Sequence, residues 1–285
     1  MKFASVCHNG VNHAVLVDGG SVIPLRGIAE IGPQTPGDLL RDPPLDDKCR
    51  LDISDVIFRP VVPGPAKVIC VGLNYREHIA ECEQATPAYP VFFSKFASSL
   101  IGPYDDITLP PETHRLDYEA ELAVVIGKEC RRVSAREASG YVAGYTVAND
   151  ITMRDFQFRT HQWMAGKAWD RSTPLGPFLV TPDEVGDPQK LEIRLMVDGD
   201  VRQESSTGLM IYSVAELISI LSEFTSLSAG DVILTGTPSG VGDRRTPPAY
   251  LQDGATVSVE ISGIGRIENR VRNEFPVRRT TVETV

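Results

Sequence analysis

The sequence has 285 residues, 42% of them hydrophobic, which is enough to fill the core of one large β-rich domain or of a medium domain with a small appendage. Its formal net charge of -10 disfavours nucleic acid as a partner, because the nucleic-acid backbone is itself anionic. No apolar run has the length of a signal peptide or a membrane span, and the five cysteines form no CxxC pair. We therefore expect a cytoplasmic globular protein with reduced thiols and no membrane partner.

The N-terminal segment predicts a small β lobe. Residues 3–24 are typical of two short strands around the turn Val17-Asp18-Gly19-Gly20. A stretch rich in proline, glycine and aspartate follows at residues 32–47. We place the boundary near residue 60, with a small lobe at residues 1–60 and a larger domain at residues 61–285.

The larger domain is predicted to be β-rich, because short apolar runs alternate with glycine and proline turns. These runs are residues 67–71, 122–126, 178–180, 191–197, 232–234 and 257–261. Two helices are indicated by capping boxes, Ser134 with Glu137 and Ser213 with Glu216. Strands and helices do not alternate as they do in a doubly wound nucleotide-binding fold, so the expected class is α+β.

Acidic residues at alternate positions run into the strand at 122–126. On a strand, Glu119 and Glu121 face the same side, where they would repel each other unless a cation neutralises them. Asp150 ends another strand-like run, and a loop there can turn it toward the pair. Three carboxylates without a nearby His or Cys favour Mg²⁺ or Mn²⁺, with Ca²⁺ as a further candidate. The alternative is that the glutamates line a solvated strand face and Asp150 caps a turn.

The segment at residues 71–81 passes from an apolar strand into a helical spacing of His78 and Glu81. Side chains three apart on a helix are neighbours, and a carboxylate beside an imidazole raises the pKa of the histidine and fixes its tautomer. A general base that activates water requires both effects. The alternative is an exposed polar contact between neighbours.

Two further positions suggest anion binding. Lys167 lies between small residues and Trp169, so we expect it to be poorly solvated and able to bind a carboxylate or enolate oxygen, unless it extends to water along Trp169. The glycine-rich loop at 236–242 can present backbone N–H groups and the Thr237 hydroxyl to an anion. The loop lacks the lysine of a P-loop and the GxGxxG spacing, so it does not favour nucleotide binding.

Taken in this order, the segments resemble the fumarylacetoacetate hydrolase family in its shorter form. That form includes acylpyruvate and fumarylpyruvate hydrolases, oxaloacetate decarboxylases and 2-hydroxyhepta-2,4-diene-1,7-dioate isomerases. The similarity runs from about Lys67 to Asn273. Its motifs are Gly72-Leu73-Asn74-Tyr75 with His78 and Glu81, Phe93-Ser94-Lys95, Asp117-Tyr118-Glu119-Ala120-Glu121, Asn149-Asp150-Ile151, Gly166-Lys167, Pro174-Leu175-Gly176-Pro177 and Gly236-Thr237-Pro238.

The resemblance implies roles for individual residues. It implies that Glu119, Glu121 and Asp150 bind the metal. It also implies that His78 with Glu81 activates water. Lys167 is implied to be a catalytic residue that helps to bind the substrate oxygens. Substrate binding is implied for Arg154, Gln157 and Thr237. The implied fold is a mixed β-sandwich or roll, paired as a homodimer.

The expected function is that of a metal-dependent hydrolase that cleaves a carbon–carbon bond in an acylpyruvate-type 2,4-dioxo acid. A metal would chelate the 2-oxo acid, and the His78-Glu81 pair would activate water. An oxaloacetate-type decarboxylase or a hydroxydienedioate isomerase would use the same metal site. An alternative of a different class is a non-catalytic protein that binds an organic acid through the metal. In every case the expected partner is a small 2-oxo acid.

Overall fold

The structure is a computed structural model and describes residues 1–274. The strands are β1 (Lys2–His8), β2 (Val11–Asp18), β3 (Ser21–Pro24), β4 (Leu51–Asp52), β5 (Ile57–Phe58), β6 (Val68–Gly72), β7 (Val91–Lys95), β8 (Leu100–Ile101), β9 (Ile107–Leu109), β10 (Leu116–Asp117), β11 (Ala120–Ile126), β12 (Val142–Asn149), β13 (Thr152–Met153), β14 (Thr173–Val180), β15 (Glu192–Val197), β16 (Asp200–Ser206), β17 (Val232–Leu234), β18 (Thr256–Ile261) and β19 (Gly265–Asn273). The α-helices are α1 (Gly37–Arg41), α2 (Arg76–Glu81), α3 (Arg154–Gln157), α4 (Met164–Lys167), α5 (Pro182–Val185) and α6 (Val214–Phe224). Short 3₁₀ helices lie at Ile53–Asp55, Ala97–Ser99, Ala138–Tyr141, Thr207–Leu209 and Gly242–Arg244.

Two large sheets form the body of the protein. The first follows the order β4-β3-β2-β1-β14-β12-β11-β17-β6-β7, with β5 beside β1 and β8 beside β14. The second has the order β16-β15-β18-β19-β9, and the short strands β10 and β13 pair separately. Most neighbours are antiparallel, whereas β6 and β17 run parallel. The predicted β-rich α+β class with mixed sheets is confirmed.

Strand β11 is buried along its whole length because both of its faces are covered. Leu122 and Val124 belong to a core that includes side chains of β15, β18 and α6. Ala123 and Val125 face a second core that includes Phe3 of the N-terminal strand. A strand that is covered on both faces has apolar residues at consecutive positions, and this explains the apolar run at residues 122–126. This packing holds the start of β11 in place.

The N-terminal segment contains three strands where two were expected. The predicted turn between β2 and β3 is present, but a further hairpin turns at Asn9 and Gly10, whose φ angles are 50° and 79°. Asn-Gly is the residue pair that such a two-residue turn favours, and the prediction overlooked it. Strand β1 pairs with β14, so the N-terminal strands extend the main sheet. The division near residue 60 stays a prediction, and residues 275–285 of the second predicted domain lie outside the described residues.

One predicted helix is confirmed and the other is wrong. Ser213 and Glu216 form a complete capping box at the start of α6. Ser134 and Glu137 make the side-chain contact of a capping box, but only the 3₁₀ helix Ala138–Tyr141 follows. Gly140 interrupts that short helix, and β12 begins two residues later, so the chain has no room for an α-helix. No helix in residues 1–274 is long and apolar enough to cross a membrane.

Candidate metal centre and active site

The pairing of β11 with β12 brings the three predicted metal ligands together. Glu119 immediately precedes β11, Glu121 is its second residue, and Asp150 immediately follows β12. Ala120 lies opposite Asn149 in the antiparallel ladder, and the Asp150 N–H donates to the Glu119 carbonyl at 2.9 Å. One oxygen of each carboxylate lies within 4.8 Å of the others, and all three side chains are buried. The alternative of a solvated strand face does not fit this burial.

Two buried lysines contact this cluster. Lys167 Nζ donates to Glu119 Oε2 at 2.7 Å and to Asp150 Oδ2 at 2.8 Å. Lys95 Nζ donates to Asp150 Oδ1 at 2.6 Å. Burial lowers the pKa of Lys167, but the neighbouring carboxylates outweigh burial and raise the pKa overall. Lys167 is only 2% exposed, so it does not extend to water as the alternative proposed.

Glu121 is the member of the triad without an ion pair among residues 1–274. Its Oε2 accepts a hydrogen bond from the Gly236 N–H at 2.6 Å. Burial raises the pKa of Glu121 well above its usual range, and the charges of Asp150 and Glu119 raise it further. A buried carboxyl group that lacks a cationic partner among the described residues fits a hard divalent cation such as Mg²⁺ or Mn²⁺, which would favour its ionised form. The three carboxylates are the residues that would hold it.

Arg154 connects the triad to a further buried acid. Its Nε donates to Asp117 Oδ2 at 2.8 Å, and its Nη2 lies 2.8 Å from Glu119 Oε1. Nη1 donates to Gln157 Oε1 at 2.9 Å. All three guanidinium nitrogens therefore face groups of the protein, and one of them pairs with Glu119. Asp117 received no role from the sequence, although it is the first of the alternating acids and that spacing was the available signal.

His78 and Glu81 lie on α2, as predicted, and the contact between them is largely buried. His78 Nδ1 lies 3.1 Å from Glu81 Oε2, and Cys82 Sγ lies 3.7 Å from His78 Nε2. Burial lowers the pKa of His78, but the hydrogen bonds with Cys82 and Glu81 outweigh it and raise the pKa to about 9. The imidazole therefore carries a proton at neutral pH.

Asn74 fixes the turn that leads from β6 into α2. Its side-chain amide donates to the carbonyls of Thr235 and Tyr212 at 2.7 and 3.0 Å, and its Oδ1 accepts from the Tyr212 N–H at 2.8 Å. Because β6 and β17 are parallel, their carboxyl ends meet at one edge of the sheet. The helix with His78 and the loop with Thr237 therefore start side by side.

The glycine-rich loop uses its backbone differently from the prediction. Three of its N–H groups donate to carboxylates of the protein itself, Gly236 to Glu121, Gly240 to Glu81 and Gly242 to Asp117. These bonds hold three site acids in place, so these N–H groups are not free for an external anion. Residue spacing could not predict these bonds because the three acids lie far from the loop along the chain.

The Thr237 hydroxyl is held by a residue of the second sheet. Gln203 of β16 donates through Nε2 to Thr237 Oγ1 and to the Pro238 carbonyl, both at 2.8 Å. Gln203 Oε1 accepts from the Ala120 N–H, between the two ligand glutamates, at 2.9 Å. Since Thr237 accepts from Gln203, its own O–H is left to donate to a ligand. Gln203 was missed because no local pattern links β16 to β11.

A cavity of about 70 Å³ adjoins the triad. Its wall includes Glu119 and five of the six predicted catalytic and substrate-binding residues, and Glu81 is the one that does not line it. The five are His78, Lys167, Arg154, Gln157 and Thr237. Aromatic side chains and one further arginine complete it, among them Phe93, Phe158, Trp163 and Arg244. The structure therefore gathers the predicted site residues at one place, and their contacts with substrate stay predictions.

Residues 67–272 match the family described as fumarylacetoacetate (FAA) hydrolase C-terminal. The chain belongs to this family. Oxaloacetate tautomerase Fahd2a, mitochondrial, of Rattus norvegicus is 48% identical over 219 residues, which cover 76% of this chain and 70% of that protein. Oxaloacetate tautomerase FAHD2A, mitochondrial, of Homo sapiens is also 48% identical, over 220 residues with the same coverage.

Solved structures of the family share the fold. A fumarylacetoacetate hydrolase from Exiguobacterium antarcticum superposes with a TM-score of 0.83 at 35% identity, over 96% of this chain and 100% of that one. A 2-hydroxyhepta-2,4-diene-1,7-dioate isomerase from Mycobacterium marinum gives 0.81 at 32% identity, over 97% and 100%. The predicted family is confirmed, and the chain is an enzyme of this family. The cytoplasmic location stays a prediction, since relatives are named mitochondrial, and so does the homodimer.

Replacing Glu121 with Gln removes the ionisable group that has no ion pair while keeping the shape of the side chain. Without metal, we expect Glu121→Gln to be more stable than the natural protein at pH 7 by about 1–3 kcal/mol. Because the folded-state pKa of Glu121 is raised, the natural protein loses stability as the pH rises above the usual glutamate range, and the variant's advantage grows in that direction. Urea unfolding in the presence of a chelator measures this difference.

The same variant should bind Mn²⁺ at least about tenfold more weakly, as measured by titration calorimetry. The exposed Glu223→Gln serves as the control and should change neither stability nor Mn²⁺ affinity. A metal-free Glu121→Gln less stable than the natural protein, or one with unchanged Mn²⁺ affinity, would contradict the assignment.

Replacing Lys95 with Met leaves the Asp150 carboxylate buried with one cation instead of two. Breaking a buried pair on one side costs about 3–5 kcal/mol, and we expect a loss of this size in chelator-treated protein. Added Mn²⁺ should restore part of the loss, because the cation compensates the same charge. Unfolding in urea with and without Mn²⁺ tests this. Lys190→Met, at an ion pair whose lysine is 79% exposed, is the control and should cost less than about 0.5 kcal/mol.

Proposed function

We propose that this enzyme interconverts the enol and keto forms of a small 2-oxo diacid of the oxaloacetate type. The observation that carries the proposal is the position of His78 on the wall of a small cavity beside the carboxylate triad, and the raised pKa of His78 favours its protonated form there. Tautomerisation requires only that a proton leaves one atom of the substrate and another reaches a carbon. The two mammalian relatives named oxaloacetate tautomerase, each 48% identical, support the same reaction.

The size of the cavity favours a short substrate. A volume of about 70 Å³ corresponds to roughly five water positions when each takes about 15 Å³. A four-carbon acid is of this order, whereas an acylpyruvate with a long tail would have to extend out of the cavity. The enclosing aromatic residues Phe93, Phe158 and Trp163 limit the space further.

The charge of the centre favours a dianion. Buried carboxylates outnumber buried cations by one; the acids are Asp117, Glu119, Glu121 and Asp150, and the cations are Lys95, Lys167 and Arg154. A divalent cation would turn this excess into one net positive charge. His78 and Glu81 cancel each other. A dicarboxylate would therefore meet a cationic site, whereas a neutral carbonyl compound would gain little from it.

A bound divalent metal would supply a Lewis acid that polarises the 2-oxo group. The residues of the chain supply the proton transfer and the orientation. His78 holds the proton that the carbon next to the carbonyl receives when the enol becomes the ketone. The hydroxyl proton of the enol passes to solvent water, and His78 regains a proton from solvent after the turnover. Lys167 stabilises negative charge that develops on the oxygen. The Thr237 hydroxyl donates to a substrate carboxylate.

Carbon–carbon hydrolysis, the first expectation from the sequence, is the second candidate. The observation in its favour is the 3.1 Å contact between His78 and Glu81, which is the arrangement of a general base. Such a base must be unprotonated at rest, whereas a pKa of about 9 leaves His78 protonated at neutral pH. Tautomerisation uses the protonated form directly, and for this reason we rank it first.

A substrate panel tests the proposed function. We expect Mn²⁺-loaded enzyme to accelerate oxaloacetate tautomerisation more than it accelerates acylpyruvate cleavage or oxaloacetate decarboxylation, with products identified for each. His78→Gln should lower the tautomerisation rate by about 10²–10⁴-fold with unchanged Mn²⁺ affinity. The exposed His114→Gln is the matched control and should keep the full rate. If the enzyme accelerates acylpyruvate cleavage but does not tautomerise oxaloacetate above the uncatalysed rate, the proposal is wrong and hydrolysis is the function.

The pH profile separates the two roles of His78. If the protonated imidazole donates the proton, kcat/KM falls as the pH rises through about 9. Glu81→Gln removes a hydrogen bond that raises this pKa, so the fall should move to lower pH. The measurement is kcat/KM between neutral and alkaline pH for both proteins. A rate that instead rises with pH in this range identifies the neutral imidazole as a base and supports hydrolysis.

A further inference from the structure

Arg244 lies on the wall of the same cavity as His78 and Lys167, at the end of the 3₁₀ segment Gly242–Arg244. Its guanidinium carbon lies 6.0 Å from the centre of the Phe158 ring, which also lines the cavity. The side chain is 35% exposed, so it is neither buried in the core nor free in solvent. No role for Arg244 followed from the sequence motifs.

The guanidinium of Arg244 is only partly used by the protein. Its Nε lies 3.4 Å from Asp243 Oδ2, a long ion pair, and within residues 1–274 its two terminal nitrogens have no hydrogen-bond partner. The neighbouring Arg245 differs, because its Nε donates to the Tyr118 hydroxyl and its Nη2 donates to the Arg202 carbonyl. Arg245 is therefore a structural arginine, whereas the terminal nitrogens of Arg244 remain available to a ligand.

Asp243 is itself held firmly, which fixes the base of the Arg244 side chain. The Tyr250 hydroxyl donates to Asp243 Oδ1 at 2.7 Å, and the Asp243 N–H donates to Asp117 Oδ2 at 3.0 Å. Asp117 also accepts from Arg154, which holds a ligand of the metal centre. The position of Arg244 is thus set relative to the carboxylate triad.

We propose that Arg244 binds the carboxylate at the far end of the substrate from the 2-oxo acid group, and so restricts the site to dicarboxylates. The inference rests on the proposed function, which places the 2-oxo acid group at the triad. Two adjacent guanidinium nitrogens match the two oxygens of a carboxylate. Arg244 and Glu119 of the triad line the same small cavity, so a short dicarboxylate held there would face both.

The test compares oxaloacetate with its 4-ethyl ester, which lacks only the distal charge, and with oxalate, which mimics only the 2-oxo acid end. We expect Arg244→Gln to weaken oxaloacetate binding about 10- to 100-fold, as for a lost charged hydrogen bond. Binding of the ester and of oxalate should change less than about twofold. Titration calorimetry on Mn²⁺-loaded protein gives all three affinities, and the value for oxaloacetate refers to the equilibrium mixture of its enol and keto forms.

Two controls keep the result specific. Arg159→Gln removes an exposed arginine that stacks on Phe156 and should leave all three affinities unchanged. Arg244→Lys keeps the charge and should recover part of the oxaloacetate affinity. Equal weakening of all three ligands, or no change for oxaloacetate, would overturn the role of Arg244. If the natural protein binds oxaloacetate more tightly than the ester but does not tautomerise it, the proposed function is wrong and the role of Arg244 is still supported.

Discussion

The antiparallel pairing of β11 with β12 is the constraint on which the site depends. It places the carboxylates of Glu119, Glu121 and Asp150 together in a dry part of the protein, where their repulsion is strong. The surrounding residues compensate this charge. Two lysine ammonium groups, a guanidinium and a backbone N–H together contact all three acids. The packing of β11 between two cores provides the rigidity that such a concentration of charge requires.

Local patterns in the sequence predicted much of the fold and of the site. Alternation marked the acids, helical spacing marked His78 with Glu81, and the capping box at Ser213 marked α6. Partners from distant segments had no such pattern. Lys95 meets Asp150 across 55 residues, and Gln203 reaches Ala120 from the other sheet. The spacing of neighbouring residues carries no information about such contacts, which arise only when the sheets are assembled.

One buried carboxylate connects the two ends of the site. Asp117 accepts from Arg154, which contacts a triad member, and from the backbone of Asp243, which pairs with Arg244. A substrate that bridges the cavity would thus lie between two arginines whose positions both depend on Asp117, Arg154 directly and Arg244 through Asp243. Cleavage, decarboxylation and tautomerisation of 2-oxo acids all pass through an enolate, so a common scaffold serves them. The protonation of His78 and the reach of the distal binding group then decide which reaction is favoured.

The two lysines at the triad affect how the protein can fold before it binds a metal ion. Lys95 and Lys167 already pair with two of the three carboxylates, so we expect the chain to reach its native fold without metal. In this it differs from zinc fingers, in which ion uptake and folding are one event. An all-oxygen ligand set of this kind discriminates weakly between similar hard cations, and the relative supply of those cations in the surroundings then decides which one is loaded.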